Sequence, residues 1–148
     1  MENEIITKWL ANVEFSPIKI LKLRSRLQTT SVQQSTYKSK GLAIFQDVTI
    51  DFERLKLSGR YCIFETDDYS SRQYAYEKDV LYTFSFPALS GEGVRSYLLL
   101  QYHLRRHLRI WMKVSRTSYS NANFVGSGNE EIRGNKKTDL RIQMYYSF

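Results

Sequence analysis

The chain has 148 residues, enough for one domain with a substantial core, and 42% of them are hydrophobic, which excludes global disorder. Its 22 basic and 15 acidic residues leave a net charge of +7, which favours anionic partners: nucleic acid, acidic protein surfaces, anionic lipid or an anionic small molecule. A single cysteine, Cys62, excludes an intrachain disulfide and points to a reducing compartment, so a cytoplasmic location is expected.

The opening Met1-Glu2-Asn3-Glu4 has neither the apolar run of a secretory signal nor the arginines of a transit peptide. No window approaches the 18 or so consecutive apolar residues of a transmembrane helix. Residues 3–13 read as a short helix capped by Asn3, with Ile5, Ile6, Trp9, Leu10 and Val13 on one face, and Ser16-Pro17 ends it. Strand signals follow. Leu21, Leu23 and Leu27 alternate with Lys22, Arg24 and Arg26; Thr29 to Ser35 is a polar loop; residues 36–47 and 48–65 give further strands, with a phase slip at Glu53-Arg54. Thr66 to Ser71 is a turn by composition. Residues 72–86 read as one or two strands, through Arg72, Tyr74 and Tyr76 and then Val80 to Phe86.

The clearest pattern comes next. Residues 95–104 and 107–116 read as a hairpin around Arg105-Arg106, with Leu108, Ile110, Met112 and Val114 against Arg109, Trp111, Lys113 and Ser115. Residues 124–133 are a weaker strand broken by Gly126-Ser127-Gly128, and 139–147 are the last, with Leu140, Ile142, Met144 and Tyr146 in phase. A period of two gives each strand one greasy and one wetter side. A basic amphipathic helix over 94–114, with Leu100, Leu104, Leu108 and Trp111 in one stripe, competes with the hairpin; alternation from 108 to 115 favours strands.

The expected fold is all-β: an antiparallel up-and-down meander of about eight strands, closed into a barrel in one domain spanning 1–148, with the helix at 3–13. A two-sheet sandwich is the alternative. The feature order resembles the calycin-type barrels, the lipocalins and fatty-acid-binding proteins, and more narrowly a lipocalin-like family of about this length with no established function. The matching residues are Trp9-Leu10, Gly41-Leu42-Ala43-Ile44-Phe45, Arg72-Gln73-Tyr74-Ala75-Tyr76 and the ending from Ile132 through Gly134-Asn135-Lys136-Lys137 to Arg141. The centre departs from that pattern, with Phe86-Pro87 where a Phe-His pair is expected. The resemblance implies a barrel with an interior cavity.

Catalysis has no support in the sequence. No Gly-x-Ser-x-Gly elbow or Gly-Lys-Ser/Thr phosphate loop occurs, and Asp67-Asp68 and Glu130-Glu131 read as turn and solvated pairs. His103 and His107 have zinc-pair spacing only on a helix, and here they bracket a turn, so neither a metal nor another cofactor is expected. The suggestive set is aromatic plus basic: Arg72, Arg109 or Arg141 facing a charge, with Tyr74, Tyr76, Trp111 and Tyr145 as apolar wall. The expected function is a non-catalytic intracellular binding module whose interior takes a small hydrophobic or amphipathic anion. The alternatives are an interaction or structural subunit docking another protein through basic, tyrosine-rich faces, and a β-barrel that stacks nucleic-acid bases.

Overall fold

The computed structural model describes residues 4–121, 124–125 and 132–148, with Phe124 and Ile132 defined by their backbone. Seven long strands form one antiparallel sheet. They are β1 (Ile5–Ile18), β2 (Leu21–Gln34), β3 (Tyr37–Asp51), β4 (Leu55–Thr66), β7 (Glu92–Arg105), β8 (Leu108–Tyr119) and β11 (Lys136–Tyr146). Their order across the sheet is β1-β2-β3-β4-β7-β8-β11, so each long strand pairs with the next along the chain. Two minimal ribbons complete the described structure, β5 (Gln73–Tyr74) with β6 (Ala88–Leu89), and β9 (Phe124–Val125) with β10 (Ile132–Arg133).

The all-β, antiparallel meander of the sequence reading is present, but four of its details are not, the first being the polar loop from Thr29 to Ser35, where β2 runs on as strand to Gln34. Residues 3–13 do not form a helix: Ile5 to Phe15 pair residue by residue with Gln33 to Leu23. Ile5, Trp9 and Val13 satisfy a period of two as well as a helical spacing, and a neighbouring strand with free backbone groups decides for the sheet. No closed barrel forms among the described residues, because β1 and β11 are edges that do not pair. The strand expected through Val80–Phe86 is also absent; Tyr82 turns the chain there with a φ of 62°. Gly126-Ser127-Gly128 and Glu130-Glu131 lie outside the described residues. Residues 94–114 are the hairpin β7–β8, with no helix. No helix among the described residues is long and apolar enough to cross a membrane.

The connection from 67 to 91 does not loop away into solvent. It lies across one face of the sheet, rooted by Thr66 N–H to Gly91 O at 2.9 Å and Asp67 N–H to Lys40 O at 2.9 Å. Alternate residues point into the sheet: Ser71, Gln73, Ala75, Glu77 and Asp79 are buried, while Tyr74 and Tyr76 are exposed. The core therefore sits between this strap and the sheet. One cluster joins Ala43, Phe45, Cys62, Phe64, Ala75 and Leu89; another joins Val80, Tyr97, Leu99 and Trp111. The opposite face of the sheet carries no layer from the described residues.

Gly41 marks where the strap comes closest. A Cβ there would collide with the Ser71 carbonyl oxygen and the Gln73 amide. Gly41→Ala should cost about 1–3 kcal/mol by forcing strap and strand apart, measured as a lower denaturant midpoint; an unchanged midpoint would show that the strap is not tightly seated.

Candidate functional site: an apolar face and a charged face

The open face of the sheet is apolar over most of its area, while the covered face mixes the buried apolar clusters with paired charges. On the bare face, register places Phe15, Leu23, Val48, Gly59, Leu98, Val114 and Leu140 in one row across all seven strands. The next row is Ile18, Leu21, Ile50, Leu57, Leu100, Met112 and Ile142. Bare-face positions between Leu42 and Ile50, Leu55 and Ile63, Val94 and Tyr102, Ile110 and Val114, and Leu140 and Tyr146 hold no Asp, Glu, Lys or Arg. Many of these side chains lie open: Ile63 is 52% exposed, Leu98 50% and Ile142 67%. Single exposed apolar residues are ordinary, but a continuous apolar face spanning a whole sheet is an interaction surface.

Charges stand at one end of the bare face, at Lys38, Lys40, Glu65, Glu92 and Arg116, but the charges in the middle of the sheet are on the covered face. Arg24 and Arg26 on β2, Arg60 on β4, Arg95 on β7, Arg109 and Lys113 on β8 and Arg141 on β11 all point toward the strap side. The strap brings acids to meet them. Arg95 grips Glu77 through Nε at 2.6 Å and Nη2 at 2.9 Å, and its Nη1 donates to Thr117 Oγ1 at 2.6 Å. Lys113, 2% exposed, donates to Asp79 at 2.9 Å and to Glu77 at 3.4 Å. Arg141 reaches Asp79 at 2.6 Å and Asp139 at 3.0 Å. Arg60 closes a bidentate pair with Asp47, donates to Tyr76 O at 2.7 Å and lies over the Phe45 ring. Buried charges need this pairing, because an isolated ion in such a place costs several kcal/mol.

Besides Arg109, held by aromatic rings, Lys78 and Arg26 meet no carboxylate on this side among the described residues. Lys78 Nζ donates only to Thr49 and Ser58 hydroxyls, at 2.8 and 3.2 Å. Burial, with Lys56, Arg24 and Lys22 nearby, holds its ammonium below the usual lysine range. Arg26 has a buried Nε with no acceptor. It lines a cavity of about 390 Å³ with Lys8, Leu10, Arg72, Tyr76 and Phe86, where Tyr76 and Phe86 pack at 5.4 Å between centroids.

The residues expected from sequence to form one site divide into two places. Arg72, Tyr74 and Tyr76 lie on the strap beside that cavity, with Arg72 4.3 Å from the Tyr69 ring and 5.3 Å from the Tyr74 ring. Arg109, Trp111 and Tyr145 form a cation–π cluster on β8 and β11, Arg109 standing 4.7 Å from the Tyr145 ring. Arg141 is engaged by Asp79 and does not join either group. Sequence reasoning missed Arg26, Lys78, Glu77 and Asp79. Lys113 between Met112 and Val114 was the available signal: a cation flanked by exposed apolar residues belongs to the opposite, polar side. No group of three or more His, Cys, Asp or Glu among the described residues has metal-binding geometry. Comparison with protein-family models, curated proteins and solved structures finds no match.

Glu77 is the acid shared by Arg95 and Lys113. Glu77→Gln removes its charge and should destabilise the fold by about 3–5 kcal/mol, read from denaturant unfolding; a change below about 1 kcal/mol would show that the pairs behave as solvated ones.

Proposed function

We propose that this chain is wall material of a membrane-embedded β-structure: its bare face meets lipid, and its covered face lines a polar, cation-rich interior that takes an anionic solute. The observation that carries the reading is the open face, apolar across all seven strands with no layer over it, opposite a covered face in which buried charges stand among the core side chains. Antiparallel sheets in water turn a polar face to the solvent. Membrane barrels alternate apolar-out and polar-in along every strand.

Dimensions support it. The apolar stretch of β4, Leu55–Ile63, is about 27 Å long at ~3.4 Å per residue. Tilted by about 40°, it spans ~21 Å, close to the ~25 Å apolar band of membrane barrels. Aromatics gather at the end of that band: Phe52, Tyr102, Tyr146 and Phe148, the last two with rings 5.3 Å apart. Such rings suit the membrane–water boundary. The edges support it too. β1 and β11 carry the apolar alternation to the limits of the sheet, with no covering element among the described residues. Seven antiparallel strands leave β1 and β11 running in the same direction. Closure with every pair antiparallel therefore takes an odd number of further strands.

The proposal moves the chain from the cytoplasmic carrier that its composition suggests to a membrane, because composition averages two faces that the fold separates. It keeps the expected anion. The cavity beside Arg26, Arg72, Tyr74 and Tyr76 pairs an orphan guanidinium nitrogen with aromatic wall, which suits an amphipathic carboxylate or phosphate.

Vesicles with brominated acyl chains test the membrane reading. In a Trp9→Phe background, Trp111 on the covered face should keep its fluorescence, and an added Leu98→Trp should be quenched. Leu98→Arg should weaken folding into the bilayer by about 2–4 kcal/mol. An unquenched Leu98→Trp, or a stable dimer in water that ignores lipid, overturns the proposal and makes the bare face a protein interface. The interior is tested separately by native mass spectrometry with dodecanoate: Arg26→Leu should lower its affinity about tenfold, the loss of one charge-assisted contact, and equal uptake by both proteins would remove Arg26 from the site.

A further inference from the structure

At the aromatic end of the sheet, two turns meet. His103 N–H donates to Arg54 O at 2.8 Å, which ties the β3–β4 turn to the β7–β8 turn. The cleft between them has a volume of about 450 Å³ and is lined by Arg54, His103, Leu104, Arg105, Arg106 and Arg109, with Glu53 as its one carboxylate. None of the four arginines makes an ion pair among the described residues, whereas Arg60, Arg95 and Arg141 on the covered face all do. Arg54, Arg105 and Arg106 are exposed, so water weakens their mutual repulsion, and an anion between the four guanidiniums would remove it. Arg109 is fixed in place by the Trp111 and Tyr145 rings, 5.5 and 4.7 Å away, so its position does not depend on a carboxylate.

The cleft straddles the turn end of the sheet: His103 and Arg109 pair on the covered face, and beyond a register shift Arg105 pairs with Leu108 on the bare-face side. It also borders the aromatic rim, one residue from Phe52 and from Tyr102. We infer that this cleft is an oxyanion site of the phosphate class at the mouth of the polar interior, with Arg54, Arg105, Arg106 and Arg109 supplying the guanidinium forks. Planar guanidinium groups match phosphate oxygens two by two, which a lysine cluster would not. The same chemistry is offered by two sources, a lipid phosphodiester at the boundary and a soluble phosphate on its way inward. The inference deepens the membrane reading and rests on it.

The test uses the full chain folded in a zwitterionic detergent, titrated calorimetrically with inorganic phosphate and, separately, with short-chain phosphatidylglycerol against short-chain phosphatidylcholine. Arg105→Gln/Arg106→Gln should weaken the oxyanion at least tenfold, while Arg116→Gln, on the bare face of β8, should not. Binding of phosphate alone identifies a solute site, and binding of phosphatidylglycerol alone a lipid site; both support the inference. Binding of neither anion, or an equal loss in the Arg116→Gln control, overturns it. Quenching of Leu98→Trp by brominated lipid, repeated in the double variant, keeps the two readings apart. Retained quenching with no oxyanion binding to the native chain sinks the cleft alone; lost quenching in the native chain sinks the membrane wall.

Discussion

Glu77 and Asp79 hold the two layers of this protein together. They are the only acids that the strap delivers to the middle of the covered face, and between them they engage Arg95, Lys113 and Arg141 on three successive strands. Without them the sheet would present a basic surface on one side and a greasy surface on the other, with little to fix the strap in between. With them, the strap is laced down and the small apolar clusters around Phe45 and Leu99 are sealed. The arrangement is costly in isolation, since each charge has left water, and it holds because the partners are multiple and the geometry is close.

That lacing leaves the two faces unlike. A sheet buries its apolar side when water is the alternative. Here an apolar side is left open while the covered side holds the buried clusters together with the paired charges, which fits the proposed apolar surroundings on the open side. The arginine cleft at the turn end and Arg26 stand apart from this lacing: unlike Arg60, which Asp47 neutralises, their guanidiniums make no ion pair with a carboxylate among the described residues.

Much of the fold could be read from the residues. Alternation in Leu108–Ser115 and Leu140–Tyr146 located strands that the structure contains, and short connections implied a meander. The reading failed where two patterns coincide. Ile5, Ile6, Trp9, Leu10 and Val13 fit a helix and an edge strand equally well, and only pairing with β2 separates them. It failed again at Val80–Phe86, where the chain turns at Tyr82, Ser85 alone bridges back to Glu77, and Tyr82, Phe84 and Phe86 lie exposed. The site residues were legible as types and not as a site: Arg72 stands by Tyr69 and Tyr74 on the strap, and Arg109 by Trp111 and Tyr145 on the sheet.

By itself, the sequence determined that the strands exist, where most of them lie and that each has two unlike sides, because side-chain alternation is a local property of extended backbone. Only the tertiary structure decided which side is covered. That choice depends on Glu77 and Asp79 arriving from a distant connection to neutralise Arg95, Lys113 and Arg141, and charges separated by tens of residues leave no periodic trace in the chain.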